Sequence, residues 1–289
     1  MPGTLLIIWD YDSALGQINS TMPYNFKYSP IYEEIENVEY ILKVGREHDI
    51  KMTFACLGFA AEAGILPFNN PGQIKKIFDE GHEIASHSWR HEWFPLLMEK
   101  QIQKSLERSK YILENCIDSK DAVKGFVPPH SRPMSWYKKF SFSLGDRAVY
   151  PFHKGSDMDY ILNRLSVLNY NWCRVLVKYK PVWVKMFGNS NEDSYSFSRW
   201  EIHHGVVCVP QHYTGFDEPA INYLKLAIQK NETVVIVGHP AGLSREKSES
   251  LNNFNNFIEE VNKYISSGKL NVTTVSDYIN KNILNFKES

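Results

Sequence analysis

The chain has 289 residues, a length that suits one large domain or two small ones, and α/β barrels commonly use this much chain as a single domain. Apolar residues make up 43% and the formal net charge is −1, an ordinary globular balance without the basic stripe that nucleic acid requires. The most apolar N-terminal run, "LLIIW" (5–9), is too short to span a bilayer.

In chain order, "TLLII" (4–8) reads as a strand and 31–49 as an amphipathic helix with Ile35, Val38, Ile41 and Leu42 on one face. A strand at 51–57 leads to a helix at 70–81, with Pro71 near its first turn and Gly81 just past its end. A strand at 82–86, a long amphipathic helix at 97–115 and a short strand at 123–129 follow. Next come a helix at 157–169 and strands at 172–177 and 206–211. The pattern ends with a helix at 218–231, a strand at 233–238, a helix at 248–268 and a strand at 270–275 before a short helix. Strand–helix alternation predicts a parallel sheet flanked by helices, and about seven such strands favour barrel-like closure. The whole of 1–289 reads as one domain, with an irregular insertion, loop or hairpin, around 178–205.

The aromatic residues are 13% of the chain, which fits a large aromatic core with a few rings left for a sugar-binding cleft. Cys56, Cys116, Cys173 and Cys208 form no CxxC pair, so no cysteine zinc site is expected. Three of them lie in apolar strands and read as buried thiols of a reducing compartment. The N-terminus shows no basic start followed by an apolar run and a small-residue cleavage site, which reads as cytoplasmic.

The chemistry gathers at strand ends. Asp10 and Asp12 follow the first strand, "HSWRHE" with His87 and His91 follows the third, "PPHSR" follows the fourth, and His239 follows "TVVIVG". In a barrel, functional residues sit at the C-terminal strand ends. Histidines at i, i+4 share one face of a helical turn and suit a metal completed by a carboxylate, although an isolated pair fits two surface histidines equally well. His48, His82, His153, His203, His204 and His212 have no such partner spacing, and Asp157 and Asp159 suit a helix N-terminus.

"WDYDSA" (9–14), "GHEIASHSWRH" (81–91), "GFVPPH" (125–130) and "VIVGHP" (235–240) resemble the successive motifs of the polysaccharide deacetylase (NodB-homology) family, carbohydrate esterase family four. "KMTFACLGFAAEAG" and "EKQIQKSLERSKYILE" resemble it as well, and the likeness is weakest over 137–205. The resemblance implies a distorted (β/α) barrel of about seven parallel strands. It implies Asp10 as catalytic base, Asp12, His87 and His91 as ligands of one divalent metal, and His239 as general acid. Zinc is the foremost metal, with cobalt, nickel or manganese as alternatives. Ser88 matches a small hydroxyl residue that holds the loop. His130 stands where an aromatic residue lends its backbone N–H to the oxyanion. Trp89 and Trp93 either flank the site or pack. The family's third motif carries an arginine that orients the base, and Val127 stands there instead, leaving Arg132 or Arg174 to supply the charge. The family's D-x-x-D-W motif is not evident over 150–175.

The implied reaction is hydrolysis of an N-acyl group, N-acetyl foremost, from an amino sugar, and for a chain read as cytoplasmic a nucleotide sugar, lipid-linked sugar or glycan precursor fits better than mature cell-wall polymer. Alternatives are a same-fold amidase acting on a formamide or cyclic ureide, an inactive glycan-binding barrel, and a glycosidase. The last lacks a second well-placed carboxylate.

Overall fold

The computed structural model describes residues 2–20, 29–130, 140–142, 152–154, 157–176, 197, 200–245 and 247–284. Its elements are β1 (Gly3–Tyr11), α1 (Ser13–Ser20), α2 (Ser29–Glu47), β2 (Thr53–Cys56), α3 (Pro71–Asp79), β3 (Glu83–Ser86), α4 (Glu99–Cys116), β4 (Gly125–Phe126), β5 (Phe140–Phe142), β6 (Phe152–Lys154) and α5 (Met158–Val167). There follow β7 (Trp172–Leu176), β8 (Glu201–His203), β9 (Val206–Gln211), β10 (Tyr213–Thr214), α6 (Glu218–Lys230), β11 (Thr233–Gly238), α7 (Leu251–Ser266), β12 (Leu270–Val272) and α8 (Val275–Ile279).

Ten strands form one curled sheet in the order β10-β11-β1-β2-β3-β4-β7-β9-β8, with β12 also on β1. Its pairs are parallel except β8–β9. The seven strands expected before the C-terminal one are β1, β2, β3, β4, β7, β9 and β11, and they are consecutive neighbours in a half-barrel. β1 is the hub. It pairs with β11 along one edge, and with β12 and then β2 along the other.

Period-2 alternation separates two cores. Leu5, Ile7, Trp9 and Tyr11 pack outward with the helices, whereas Leu6, Ile8, Ala55, Ala85, Val127, Trp172, Val207, Val209, Val235 and Val237 form the inner cluster. Val275 and Ile279 of α8 join that inner cluster. α8 is fastened there by Glu83, which accepts from Trp172 Nε1 (3.0 Å), Ser276 N (3.1 Å) and Ser276 Oγ (2.5 Å). Gly125 is needed where β4 meets Trp172, because a Cβ would lie 2.0 Å from the indole.

Several boundaries differ from the sequence reading for local reasons. β1 runs on through Tyr11, so Asp10 lies inside the strand. The strand expected at 123–129 is Gly125–Phe126, because Pro128 and Pro129 cannot donate to a ladder. The strand expected at 270–275 stops at Val272, because the Thr274 side chain caps α8. Asp157 caps α5 by accepting from Tyr160 N, as expected of a helix N-terminus. Most of the insertion expected at 178–205 lies outside the described residues, and its end forms β8 against β9. α1, the β5–β6 hairpin, β8 and β10 were not expected.

Candidate active site

The inner rows of the sheet end in polar residues. Asp10 is two beyond Ile8, His87 two beyond Ala85, Arg174 two beyond Trp172, and His239 two beyond Val237. The pleat therefore directs all four to the same mouth of the half-barrel. Trp9 pairs with Gly238 in register, which sets Asp10 and His239 side by side.

Asp12 lies just beyond β1, where Gly16 permits close packing because a Cβ there would lie 2.8 Å from Asp12 Cβ. Asp12 Oδ1 is 3.3 Å from His87 Nε2 and 3.3 Å from His91 Nε2. The three ligand atoms lie within 4.8 Å of one another and all three residues are buried. The His pair does not ride on a helix as its spacing suggested. Residues 87–93 form turns and loop, and Ser88 (φ 67°) and His91 (φ 58°) take left-handed backbone. The turn is held from α4, where Ser109 Oγ donates to Ser88 O (2.9 Å) and Ser105 Oγ accepts from Trp89 N (3.1 Å). The Ser88 carbonyl thus holds the turn, while its hydroxyl has no hydrogen-bond partner.

A divalent ion fits this cluster. His87 Nδ1 is 2.8 Å from the Val127 carbonyl, which only accepts, so Nδ1 carries the proton and Nε2 of the neutral ring presents a lone pair. Burial lowers the His91 pKa, favouring a neutral ring there too. Asp12 Oδ1 is buried without a hydrogen-bond partner. Such converging lone pairs suit a two-histidine, one-carboxylate site.

Asp10 is buried beside the cluster. Arg174 Nη1 donates to its Oδ1 (2.6 Å) and Nη2 to its Oδ2 (2.7 Å), a two-point grip from a guanidinium only 2% exposed. Burial pushes the Asp10 carboxyl up, but Arg174 outweighs it and holds the group below the ordinary carboxylate value. Of the two arginines considered for this task, Arg174 makes the contact, and Arg132 lies outside the described residues. Asp10 Oδ2 is 3.8 Å from His239 Nε2. On the other side of that ring, Nδ1 lies 2.9 Å from Glu249 Oε1 and 3.2 Å from Oε2. Burial pulls the His239 pKa down, but the Glu249 carboxylate, with Asp10 and Asp12 behind it, raises it to about 10.

Two carboxyls here had no signal in the sequence reading. Glu249 falls in the helix expected at 248–268 but lies in the turn before Leu251, and its close packing on Gly242, where a Cβ would sit 2.0 Å from Oε2, is visible only in three dimensions. Glu34 is fully buried on α2 and accepts from Gln17 Nε2 (2.9 Å). Burial, then the nearby Asp12 charge, lifts its pKa to about 8, so it is mostly neutral near pH 7.

His130 (φ 65°) packs its ring 4.3 Å from that of His91, with Trp93 6.3 Å away. The structure does not bring Trp89 into the cluster. Its Nε1 donates to Glu62 (2.9 Å), and the guanidiniums of Arg90 and Arg108 lie over its ring at 3.8 and 3.7 Å. Among the histidines set aside, His204 pairs with Asp159 (2.7 Å), and His82 Nδ1 accepts from Met52 N (3.1 Å).

Comparison with known proteins agrees with this arrangement. The family model described as polysaccharide deacetylase matches residues 25–144, which include both histidines of the cluster. Over those residues the chain matches the polysaccharide deacetylase family. The chain is 29% identical over 96 residues to the peptidoglycan-N-acetylglucosamine deacetylase PgdA of Listeria monocytogenes, a match covering 32% of the chain and 17% of PgdA. It is 32% identical over 94 residues to the uncharacterized protein YlxY of Bacillus subtilis, covering 32% of the chain and 27% of YlxY. The chain therefore spans well under half of these relatives. A Mycobacterium smegmatis structure, provisionally described as a polysaccharide deacetylase, shares the fold at TM-score 0.66 and 17% identity, covering 99% of this chain and 91% of its own. A Bacillus anthracis pseudoenzyme of carbohydrate esterase family four shares it at TM-score 0.51 and 14% identity, over 96% and 65% of the two chains. The fold alone therefore does not establish catalysis.

Proposed function

We propose that this protein is a metal-dependent hydrolase that removes an N-acyl group, N-acetyl foremost, from an amino sugar or small glycan precursor. The observation that carries the reading is the buried Arg174–Asp10 pair set between the Asp12–His87–His91 cluster and the His239–Glu249 pair. Asp12, His87 and His91 would hold the ion, with zinc the best match to two imidazoles and one carboxylate. When bound, such an ion polarises an acyl carbonyl and lowers the pKa of water to roughly 7.

The chain's own groups perform the proton transfers. Asp10, kept ionised by Arg174, takes a proton from the attacking water. His239 has its Nδ1 engaged by Glu249, so its Nε2 proton is the one presented toward Asp10 and the leaving nitrogen. The pKa of about 10 keeps His239 protonated near neutral pH, as a general acid requires. The backbone N–H of His130 is assigned to the developing oxyanion. Such positioned acid and base groups typically contribute about 10²–10⁴-fold each. The amino-sugar assignment is supported by the match to the polysaccharide deacetylase family model and by the N-acetylglucosamine deacetylase among the relatives.

The test is amine release from N-acetyl and N-formyl amino sugars and cyclic ureides, with metal content measured in parallel. Amine release from an acetylated sugar that is lost in Asp10→Asn and His239→Ala, with metal retained, supports the reading. Release from formamides or ureides alone moves the activity to the amidase alternative. Metal binding without any release moves the protein to the inactive glycan-binding alternative; a pseudoenzyme of the same fold is the precedent for the loss of activity.

A further inference from the structure

A cavity of about 280 Å³ opens beside Asp12 and His239 and is also lined by Arg245, Lys247 and Glu249. Asp12 faces the two histidines, and Glu249 and His239 hold each other. Arg245 and Lys247 are exposed and make no ion pair among the described residues, while Glu246 between them lies outside those residues. The cavity therefore carries two cationic groups that no described side chain neutralises.

Their loop is firmly anchored. Arg245 N donates to Gly242 O (2.9 Å), and Lys247 O accepts from Ser250 N (2.9 Å) and Asn253 Nδ2 (3.0 Å). Ser248 O accepts from Phe216 N (2.8 Å), and the absence of a side chain at Gly215 leaves room for Ser248, which a Cβ would approach to 2.7 Å. The two cations are thus attached to fixed backbone at the edge of the candidate active site.

We propose that the sugar carries a phosphate or diphosphate ester, which Arg245 and Lys247 receive while the N-acyl group lies at Asp10, Asp12 and His239. This deepens the amino-sugar reading and rests on it. A planar guanidinium grips two phosphate oxygens at once and an ammonium adds a point charge, whereas a neutral polysaccharide offers neither cation a partner. The cavity of about 280 Å³ is near the small end for ligand pockets, so anion and acyl group belong to the same sugar unit or to adjoining ones.

Calorimetric titration of zinc-loaded Asp10→Asn protein with N-acetylglucosamine 1-phosphate, UDP-N-acetylglucosamine and neutral N-acetylglucosamine tests the proposal. At least one phosphorylated sugar is expected to bind about tenfold or more tightly than the neutral one. That preference should weaken from about 0.05 to 0.3 M salt. It should collapse when Arg245→Ala and Lys247→Ala are added, with Arg245→Gln as a milder second variant. The 1-phosphate and the nucleotide sugar distinguish a monoester from a diphosphate. Equal binding of charged and neutral sugars overturns the proposal. So does a preference that persists in the double variant, which would place the phosphate on the metal. Turnover by the unmodified protein separates the two readings. Cation-dependent binding without amine release leaves the phosphate subsite and removes the hydrolase, whereas release without preference does the reverse.

Discussion

Replacing Arg174 with methionine removes the two-point grip on Asp10 while filling most of its volume. Arg174 is 2% exposed and donates to both Asp10 oxygens, at 2.6 and 2.7 Å. Hydrogen bonds to charged groups contribute about 1.5–3 kcal/mol each. Breaking one side of a buried ion pair costs about 3–5 kcal/mol, and the two routes agree. That is a large part of the roughly 5–15 kcal/mol that stabilises an ordinary domain. The variant should therefore unfold in urea with about 3–5 kcal/mol less stability at neutral pH. The pH dependence follows from the sign of the shift. In the parent, Asp10 is depressed, so its contribution is present above the ordinary carboxylate value and is lost as pH falls through the folded value. Without Arg174, burial is opposed only by the charges of His87 and His239, and the carboxyl moves up from its value in the parent. The stability gap between parent and variant should shrink toward acid pH, and the acid limb of kcat/KM should move to higher pH. Arg174→Lys should recover part of both effects, since it restores a charge without the fork. An Arg174→Met protein as stable as the parent at neutral pH, or one with an unmoved acid limb and full metal content, would refute this reasoning.

Glu249→Gln removes the charge that raises His239, so the protonated imidazole should be lost at lower pH and the alkaline limb of kcat/KM should move down. His239 keeps 35% of its side-chain surface exposed, so solvent screens part of this effect; imidazole NMR titration of both proteins in the same metal-loaded state measures it. His87→Ala should lose most bound metal by mass spectrometry while Asp10→Asn keeps it, and metal loss in proportion to activity in both would show that the roles are misassigned. Gly125→Ala should destabilise the fold by about 1–3 kcal/mol in urea, because the new Cβ would meet the Trp172 ring at 2.0 Å; an unchanged midpoint would mean that β4 and β7 shift apart freely.

The strands were legible because their apolar runs are continuous, as expected of parallel strands buried on both faces. The same rows show why the polar ends stood out, since Asp10, His87 and His239 each extend an inward series of apolar residues. Arg174 was legible only as one of two arginines, because a strand pattern names the face a residue takes and not its partner. What stayed hidden has other physical origins. The segment "SALGQINS" lacks an apolar stripe, so α1 left no periodic trace. The His87–His91 turn depends on left-handed backbone at Ser88 and His91, residue types that seldom announce it. For Trp89 the sequence leaves flanking the site and packing open, and in the fold its ring lies between the guanidiniums of Arg90 and Arg108. Glu249 falls within the helix expected at 248–268, but the helix starts at Leu251, and the residue lies in the turn before it, where it reaches His239.

The position of β1 bears on how the molecule is made. Its partners β11 and β12 lie more than two hundred residues downstream, at Thr233–Gly238 and Leu270–Val272. During synthesis, one whole edge of this apolar strand waits without its native neighbour until the last fifth of the chain has emerged. Pairings this distant in sequence form slowly, and the waiting edge is open to aggregation. Because Asp10 and His239 meet only across β1 and β11, the candidate site is among the last parts of the structure that the nascent chain can assemble.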